Sequence, residues 1–142
     1  MTVTHILKTK GRDILSLPPH RSMADAARMM SDKRIGAIII AAPDGSIAGI
    51  LSERDVVRAI SAHGAEALDH LVSRHMTVKV VTAGEGDSVH EIMEMMTRGK
   101  FRHVPVVEDG KLTGIISIGD VVKHRLAEME AEARAMRDYI SA

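Results

Sequence analysis

The chain has 142 residues, no cysteine, and 19 basic side chains against 19 acidic ones. This balance provides no net field for nucleic acid or an anionic membrane, and the lack of cysteine excludes disulfides, thiol catalysis and zinc–thiolate sites. The only aromatic residues are Phe101 and Tyr139, too few for stacking on single-stranded nucleic acid. No apolar run reaches the length of a membrane span and no signal-peptide core is present, so the composition favours a cytoplasmic protein of one domain.

The first half of the chain predicts strand, helix, strand, turn, strand and helix. Ser22 precedes apolar residues at helical spacing and is expected to cap the first helix, with Asp25 three residues on. The sequence Pro43-Asp44-Gly45 is typical of a hairpin turn. Ser52 is expected to cap the second helix, which turns Val56, Val57 and Ile60 inward. The strands are predicted at residues 14–17, 37–41 and 47–51.

The second half follows the same plan. Ser88 and Glu91 form a capping-box pattern before a helix whose apolar face is Val89, Ile92, Met93 and Met96. The strands are predicted at residues 79–82, 104–107 and 112–116, the last two joined by a turn at Asp109-Gly110. Residues 64–77 link the halves, and their 65–72 core predicts a short helix. The methionines at positions 29, 30, 93, 95 and 96 are interpreted as core side chains of the two helices.

The final helix is predicted from Ile118 to about Tyr139, longer than the repeating plan requires. Apolar residues recur along it at alternating spacings of four and three, at Val122, Leu126, Met129, Ala133, Met136 and Ile140. This stripe indicates either packing on the protein's own body or a subunit interface, and the pattern leaves both interpretations open.

The plan is repeated because the sequence itself is duplicated. Gly49–Asp55 recurs as Gly114–Asp120, 65 residues later, and the segment from Ser22 recurs from Ser88 at an offset of 66. A long period that occurs twice indicates two copies of one supersecondary unit, neither large enough to bury its own core. The cleft between such copies is a natural ligand site.

The duplicated segment places a hydroxyl and a carboxylate where a strand ends and a helix begins. The first N–H groups of a helix have no intrahelical partner and attract anions, and Ser52 and Ser117 add hydroxyls there. Asp55 and Asp120 offer carboxylates that can accept hydrogen bonds from a ribose diol. This combination suits a phosphorylated ribonucleoside. Ser-x-x-Asp is also an ordinary capping box, and the two roles are compatible.

The histidines do not predict a metal site. The chain has eight, but His70 and His75 are five residues apart, the wrong spacing for one helix face, and no dense set of metal ligands is visible. No set of nucleophile, base and orienting group is visible either, so the protein is not expected to be an enzyme.

The chain resembles a cystathionine-β-synthase (CBS) domain pair, also called a Bateman module, over roughly residues 12 to 125. The resemblance is carried by the two Gly-hydrophobic-x-Ser-x-x-Asp segments, by Arg102-His103-Val104-Pro105-Val106-Val107, and by the turns at Asp44-Gly45 and Asp109-Gly110. It implies an α/β (α+β) fold of tandem βαββα repeats in a pseudo-twofold disc with a long C-terminal helix. The expected boundaries are one module over residues 1–142, with repeats at 12–63 and 78–125, a linker at 64–77 and a C-terminal extension at 126–142.

The resemblance implies nucleotide sites in two clefts between the repeats. AMP is the first candidate, and ATP, NAD(H) or S-adenosylmethionine are the others. Asp55 and Asp120 would hold ribose hydroxyls, Ser52 and Ser117 would face phosphate, and the adenine slots would be lined near Ser16, Ile38, Thr82 and Val104. The candidate phosphate ligands are Arg54, Arg102 and His103, with Arg34 and Lys100 nearby; Pro105 belongs to the same motif as Arg102. The alternative is that Arg34 and Lys100 are solvated surface charges and that His103 is a hydrogen-bonded core histidine.

The two copies differ at the turn, where Gly119 stands in place of Arg54 and leaves one cleft roomier, as a dinucleotide would need. The sequence therefore predicts a regulatory or signal-transducing module that binds adenine nucleotides, contains no metal, forms a homodimer and acts on an unknown protein target. Two rival hypotheses remain: a nucleotide-independent assembly adaptor, and an undescribed hydrolase or transferase that uses the same clefts.

Overall fold

The computed structural model describes residues 1–141 and confirms a mixed α/β fold with a long C-terminal helix; Ala142, the end of the expected extension, lies outside the described residues. The helices are α1 (Val3–Lys10), α2 (Met23–Lys33), α3 (Glu53–His63), α4 (Val72–His75), α5 (Val89–Gly99) and α6 (Ile118–Ser141), with a 3-10 helix at Gly64–Asp69. The strands are β1 (Ser16–Leu17), β2 (Ala37–Ala41), β3 (Ile47–Ser52), β4 (His103–Glu108) and β5 (Lys111–Ser117).

The chain divides into two compact units. The repeat-1 unit consists of Asp13–Val81 and the short segment Asp109–Thr113. Its sheet has the order β1-β2-β3, with β1 parallel to β2 and β2 antiparallel to β3. The apolar run of β2 is buried from Ala37 to Ile40, as predicted. The core combines sheet residues with α2, α3, α4 and the 3-10 helix: Leu17, Met23, Ala26, Met30, Ile38, Ile40, Leu51, Ala59, Ala67 and Val72.

The repeat-2 unit consists of Met1–Arg12, Thr82–Glu108 and the chain from Gly114 onward. The β4–β5 hairpin forms a two-stranded sheet. The predicted strand at 79–82 was wrong: the described chain has one parallel bridge here, between Ala83 and Val106. The chain turns directly after this bridge, where the Asp87 N–H donates to the Gly84 carbonyl at 3.2 Å, so no longer ladder can form.

Two arm segments complete these units. The first arm, residues 2–10, precedes repeat 1 but packs in the repeat-2 unit, where Thr2 bridges to Ser88. The second arm, residues 71–79, precedes repeat 2 but packs in the repeat-1 unit, where Leu71 bridges to Ser22. Because Ser22 and Ser88 are duplicated positions, their bridge partners Leu71 and Thr2 are equivalent, 69 residues apart, and by the same offset Leu7 corresponds to Met76.

The two duplicated glycines admit these arms. A Cβ atom on Gly114 would lie 2.6 Å from Leu7 Cδ2, and one on Gly49 would lie 2.7 Å from Met76 Sδ and 2.8 Å from the Thr77 carbonyl oxygen. All three distances are shorter than a Cβ atom tolerates, so a side chain at either position would force its neighbour to move, and glycine allows the close approach. Local patterns predict no element in the first arm, and its helix is stabilised because Val3, Ile6 and Leu7 are buried in the core of the repeat-2 unit.

Several side chains lie elsewhere than predicted. Val57 and Ile60 are exposed, and Ala59 is the buried residue of α3. The Ser88 hydroxyl accepts from the Glu91 N–H at 3.1 Å, but the reciprocal half of the predicted capping box does not form. The methionine prediction is confirmed for Met30 and Met96, which are buried, while Met29, Met93 and Met95 pack against the cores.

Helix α6 runs well beyond the packed part of its unit. Val121 is its buried residue, and the large apolar residues of the predicted stripe are between 49% and 75% exposed: Val122, Leu126, Met129, Met136 and Ile140. Among the described residues, no helix is both long and apolar enough to cross a lipid bilayer.

Candidate functional site

Turn 1 is the strand-to-helix junction at residues 52–55, between β3 and α3. The Ser52 N–H and hydroxyl both donate to Asp55 Oδ2, at 2.9 and 3.1 Å, and the Asp55 N–H approaches Ser52 Oγ at 3.4 Å. This is a complete capping box, as the capping interpretation predicted. Asp55 Oδ1 has no hydrogen-bond partner among residues 1–141. The carboxylate is therefore oriented by one oxygen while the other can accept from a ligand.

Turn 2 is the equivalent junction at residues 117–120, between β5 and α6. The Ser117 N–H donates to Asp120 Oδ2 at 2.8 Å, and the Asp120 N–H donates to Ser117 Oγ at 3.1 Å. Asp120 Oδ2 also accepts from Lys10 Nζ at 2.5 Å. Oδ1 of Asp120 is again without a hydrogen-bond partner in the described chain. In both turns Oδ1 of the aspartate is open. The turns differ in that Asp120 forms an ion pair with Lys10, whereas Asp55 forms no ion pair with a described residue.

The environment of Asp120 favours its charged form. Burial is the largest influence and opposes ionisation, but the hydrogen bond from Lys10, the Ser117 N–H and the positive charge of Lys10 together outweigh it. The pKa of Asp120 consequently lies below its ordinary value. The carboxylate is ionised at neutral pH and available as a hydrogen-bond acceptor.

The helix starts offer fewer N–H groups to an anion than the sequence suggested. The Glu53 N–H donates to the Gly36 carbonyl at 3.0 Å, and the Ile118 N–H donates to the Arg102 carbonyl at 2.8 Å. The N–H groups of Asp55 and Asp120 bond the capping serines. At each turn, two of the first three N–H groups of the helix are thus already bonded within the protein.

The structure places the candidate phosphate ligands as follows. Arg54 and Arg102 are exposed and His103 is half-buried at the start of β4. Arg34 and Lys100 end α2 and α5 in the left-handed conformation, with φ of 55° and 57°. Gly119 is exposed in the first turn of α6 and adds no side chain to turn 2.

The candidate adenine-slot residues separate into two groups. Ser16 and Thr82 are exposed at or next to the first strand position of each repeat. Ile38, Val104 and Pro105 are buried, and the side chains of Ile38 and Val104 belong to the two hydrophobic cores. The cause is strand alternation, which turns these side chains toward the helices of their own unit. Their role in an adenine slot stays a prediction.

Lys10 is the residue that sequence reasoning missed. Its Nζ donates to the Ile115 carbonyl at 2.7 Å as well as to Asp120. The available signal was weak: apolar residues at positions 3, 6 and 7 give a short helical face, and Lys10 lies at its end. Lys10 and Ile115 are 105 residues apart, so no local sequence pattern predicts their contact.

Three histidines form a cluster in the repeat-1 unit, although their spacing does not place them on one face of one helix. The rings of His63, His70 and His75 have centroids 5.1 to 5.7 Å apart, and His70 Nδ1 lies 2.9 Å from His75 Nε2. Within residues 1–141, no group of three or more His, Asp or Glu side chains is arranged to hold a metal ion.

Comparison with known proteins identifies the family of this duplicated architecture. The family model of the CBS domain matches the chain twice, at residues 3–62 and 72–127. The mitochondrial CBS domain-containing protein CBSX3 of Arabidopsis thaliana is 31% identical over 147 residues, covering 98% of this chain and 71% of that protein.

Solved structures agree with this match. The CBS-domain containing protein ATU1752 from Agrobacterium tumefaciens has a TM-score of 0.86 at 45% identity, covering 87% of this chain and 92% of that one. The CBS domain protein PAE2072 from Pyrobaculum aerophilum, complexed with AMP, has a TM-score of 0.75 at 29% identity, covering 84% and 89%. The duplicated turns, the repeated elements and these matches together show that the chain belongs to the CBS-domain family.

Proposed function

We propose that this protein is a regulatory module that binds adenine nucleotides at turns 1 and 2 and has no catalytic activity of its own. The observation that carries the proposal is the duplicated carboxylate, oriented by its serine through Oδ2 and open at Oδ1. An ionised carboxylate with an open oxygen is a strong acceptor for a ribose hydroxyl. The AMP complex of PAE2072, a structural neighbour at 29% identity, supports AMP as the first candidate ligand.

The roles follow the chemistry of each side chain. Asp55 and Asp120 accept from ribose hydroxyls, while Arg54, Arg102 and His103 are the proposed phosphate ligands, assisted by the hydroxyls of Ser52 and Ser117. Ser16 and Thr82 are exposed residues, and the backbone near them is proposed to contact the adenine ring. The space beside Gly119 suits a larger ligand such as NAD(H). ATP and S-adenosylmethionine are the remaining candidates, and no metal is needed for any of these contacts.

The protein is also proposed to work as a cytoplasmic homodimer that passes a ligand signal to a protein target. The exposed apolar stripe of α6 supports a second copy as the partner. Regulatory function, in place of catalysis, is supported by membership of a family whose matched model names no catalytic activity.

Isothermal titration calorimetry with AMP, ATP and NADH tests the proposal. We expect up to two nucleotides per chain, with unequal affinities because the residues around the two turns differ. Asp55→Ala and Asp120→Ala should each weaken binding at their own turn by about 1.5–3 kcal/mol, the range for hydrogen bonds to charged groups. A 2′,3′-dideoxy nucleotide should lose a similar amount.

Two outcomes would contradict the proposal. Folded, ligand-free protein that binds none of the three nucleotides would support the adaptor hypothesis. Consumption of AMP, ATP or NADH in a turnover assay would support the enzyme hypothesis. If Asp120→Ala lowers the midpoint of thermal unfolding and leaves affinity intact, Asp120 is only a helix cap.

A further inference from the structure

Lys10 is held at turn 2 by a packed helix. Val3, Ile6 and Leu7 of the first arm are buried in the core of the repeat-2 unit. The Thr4 hydroxyl donates to the Glu85 carbonyl at 2.8 Å, and the Gly11 N–H ends the helix on the Leu7 carbonyl at 2.7 Å. The packed helix therefore holds the Lys10 ammonium beside Asp120.

The charge of Lys10 is partly shielded from water. In the pair with Asp120, the lysine side chain is 31% exposed and the aspartate side chain is 21% exposed. Interactions in such a place are screened less than those of fully exposed charges. Turn 2 otherwise lacks a cation at the position where turn 1 has Arg54, because its counterpart is Gly119.

We infer that Lys10 makes turn 2 selective for phosphorylated over uncharged ribonucleosides, an inference that rests on the function proposed above. A ligand hydroxyl can use Asp120 Oδ1 while Lys10 remains on Oδ2. Lys10 then neutralises a carboxylate that would otherwise repel a nearby phosphate, and its ammonium has three donors of which the structure uses two. Both effects favour an anionic ligand.

The second arm offers a matched control. Lys79 corresponds to Lys10 by the offset that relates Leu7 to Met76, but α4 ends at His75 whereas α1 continues through Lys10. Lys79 is exposed, and its side chain forms no ion pair with a described residue. The same substitution at positions 10 and 79 thus removes a placed charge in one case and a solvated charge in the other.

The experiment compares AMP with adenosine by calorimetry on the full chain, in an Asp55→Ala background that weakens turn 1. Lys10→Met should lower AMP affinity about fivefold or more while adenosine affinity changes less than about twofold. Lys10→Arg should keep most of the preference, and Lys79→Met should leave both affinities unchanged. An unchanged ratio of AMP to adenosine affinity in Lys10→Met would overturn the inference.

A second measurement does not depend on the folding of any Lys10 variant. With Lys10 present, raising the salt concentration should weaken AMP binding but not adenosine binding, because only the former has a charge contact to screen. Equal salt dependence for both ligands would also overturn the inference. Failure of the Lys10-containing chain to bind AMP, adenosine, ATP or NADH would instead refute the proposed function.

Discussion

The packing of the first arm depends on the lack of a side chain at Gly114. A methyl group there would lie 2.6 and 3.0 Å from the two Cδ atoms of Leu7, which is buried. Gly114→Ala should therefore lower the free energy of unfolding by about 1–3 kcal/mol, the usual cost of overpacking a core. Urea denaturation measures this loss.

Gly86→Ala is the control for Gly114→Ala. A Cβ at Gly86 meets no heavy atom within 4 Å, so its stability should stay within about 0.5 kcal/mol of the unsubstituted protein. Equal midpoints for the two variants would show that the first arm yields without cost. Because the first arm also positions Lys10, a shift of this arm in Gly114→Ala should reduce the proposed ligand preference of turn 2 as well as stability.

The histidine cluster connects α3, the end of the 3-10 helix and α4. Because histidines titrate near neutral pH, the stability of the repeat-1 unit should depend on pH. The pKa of His75 is lowered, first by burial and then by the charges of His70, Arg74 and His63, against a smaller opposing effect of Asp55. The folded state thus binds a proton less readily than the unfolded state, whose histidine pKa is about 6.5. The stabilising contribution of neutral His75 is complete above the unfolded-state pKa, and it is lost as the pH falls through the lower folded-state pKa.

His75→Gln should flatten this part of the pH dependence. Urea midpoints of the unsubstituted protein should fall between pH 7.5 and 5, and those of the variant should fall less. His90→Gln is the control, because His90 is 79% exposed and pairs with Glu94 on the surface of α5. Parallel pH curves for all three proteins would show that the cluster does not respond to protonation in this range.

For the whole molecule, the stripe on α6 predicts association. The helix extends about 24 Å beyond Arg125, at 1.5 Å per residue, and carries exposed Leu126, Met129, Met136 and Ile140 along this part. Apolar area of this kind normally contacts a partner, and a twofold homodimer is the simplest closed assembly. Light scattering should show a dimer of the intact chain at micromolar concentration.

Truncation after Arg125 tests the part played by the helix. We expect the shortened chain to be monomeric, because it lacks most of the stripe but retains the packed residue Val121. A monomeric intact chain would contradict the dimer, and a truncated chain that remains dimeric would locate the interface elsewhere. Circular dichroism of both forms controls for loss of folding.

The sequence by itself determined most of the elements and the duplicated turns, because these depend on local patterns; it missed α1 and wrongly predicted a strand at residues 79–82. Apolar spacing placed α2, α5 and β2, and Ser52 with Asp55 specified a cap that needs only residues three positions apart. Two copies of the segment that contains this cap, together with residues 102–107 and the two Asp-Gly turns, indicated the family. The pattern was wrong for Val57 and Ile60, since which side of α3 is buried depends on the elements packed against it.

Only the tertiary structure decided which arm completes which unit. Leu7 lies beside Gly114 and Lys10 beside Asp120 because hydrophobic burial and charge pairing join segments more than 100 residues apart, which no local spacing encodes. The packing within each unit also decides which strand face the helices cover, and thus buries Ile38 and Val104, and it brings His63, His70 and His75 together over a shorter range. One difference between turns 1 and 2, Arg54 against Gly119, lies in the sequence. The other arises from the fold, because Lys10 is supplied to turn 2 by a helix that lies more than 100 residues away along the chain.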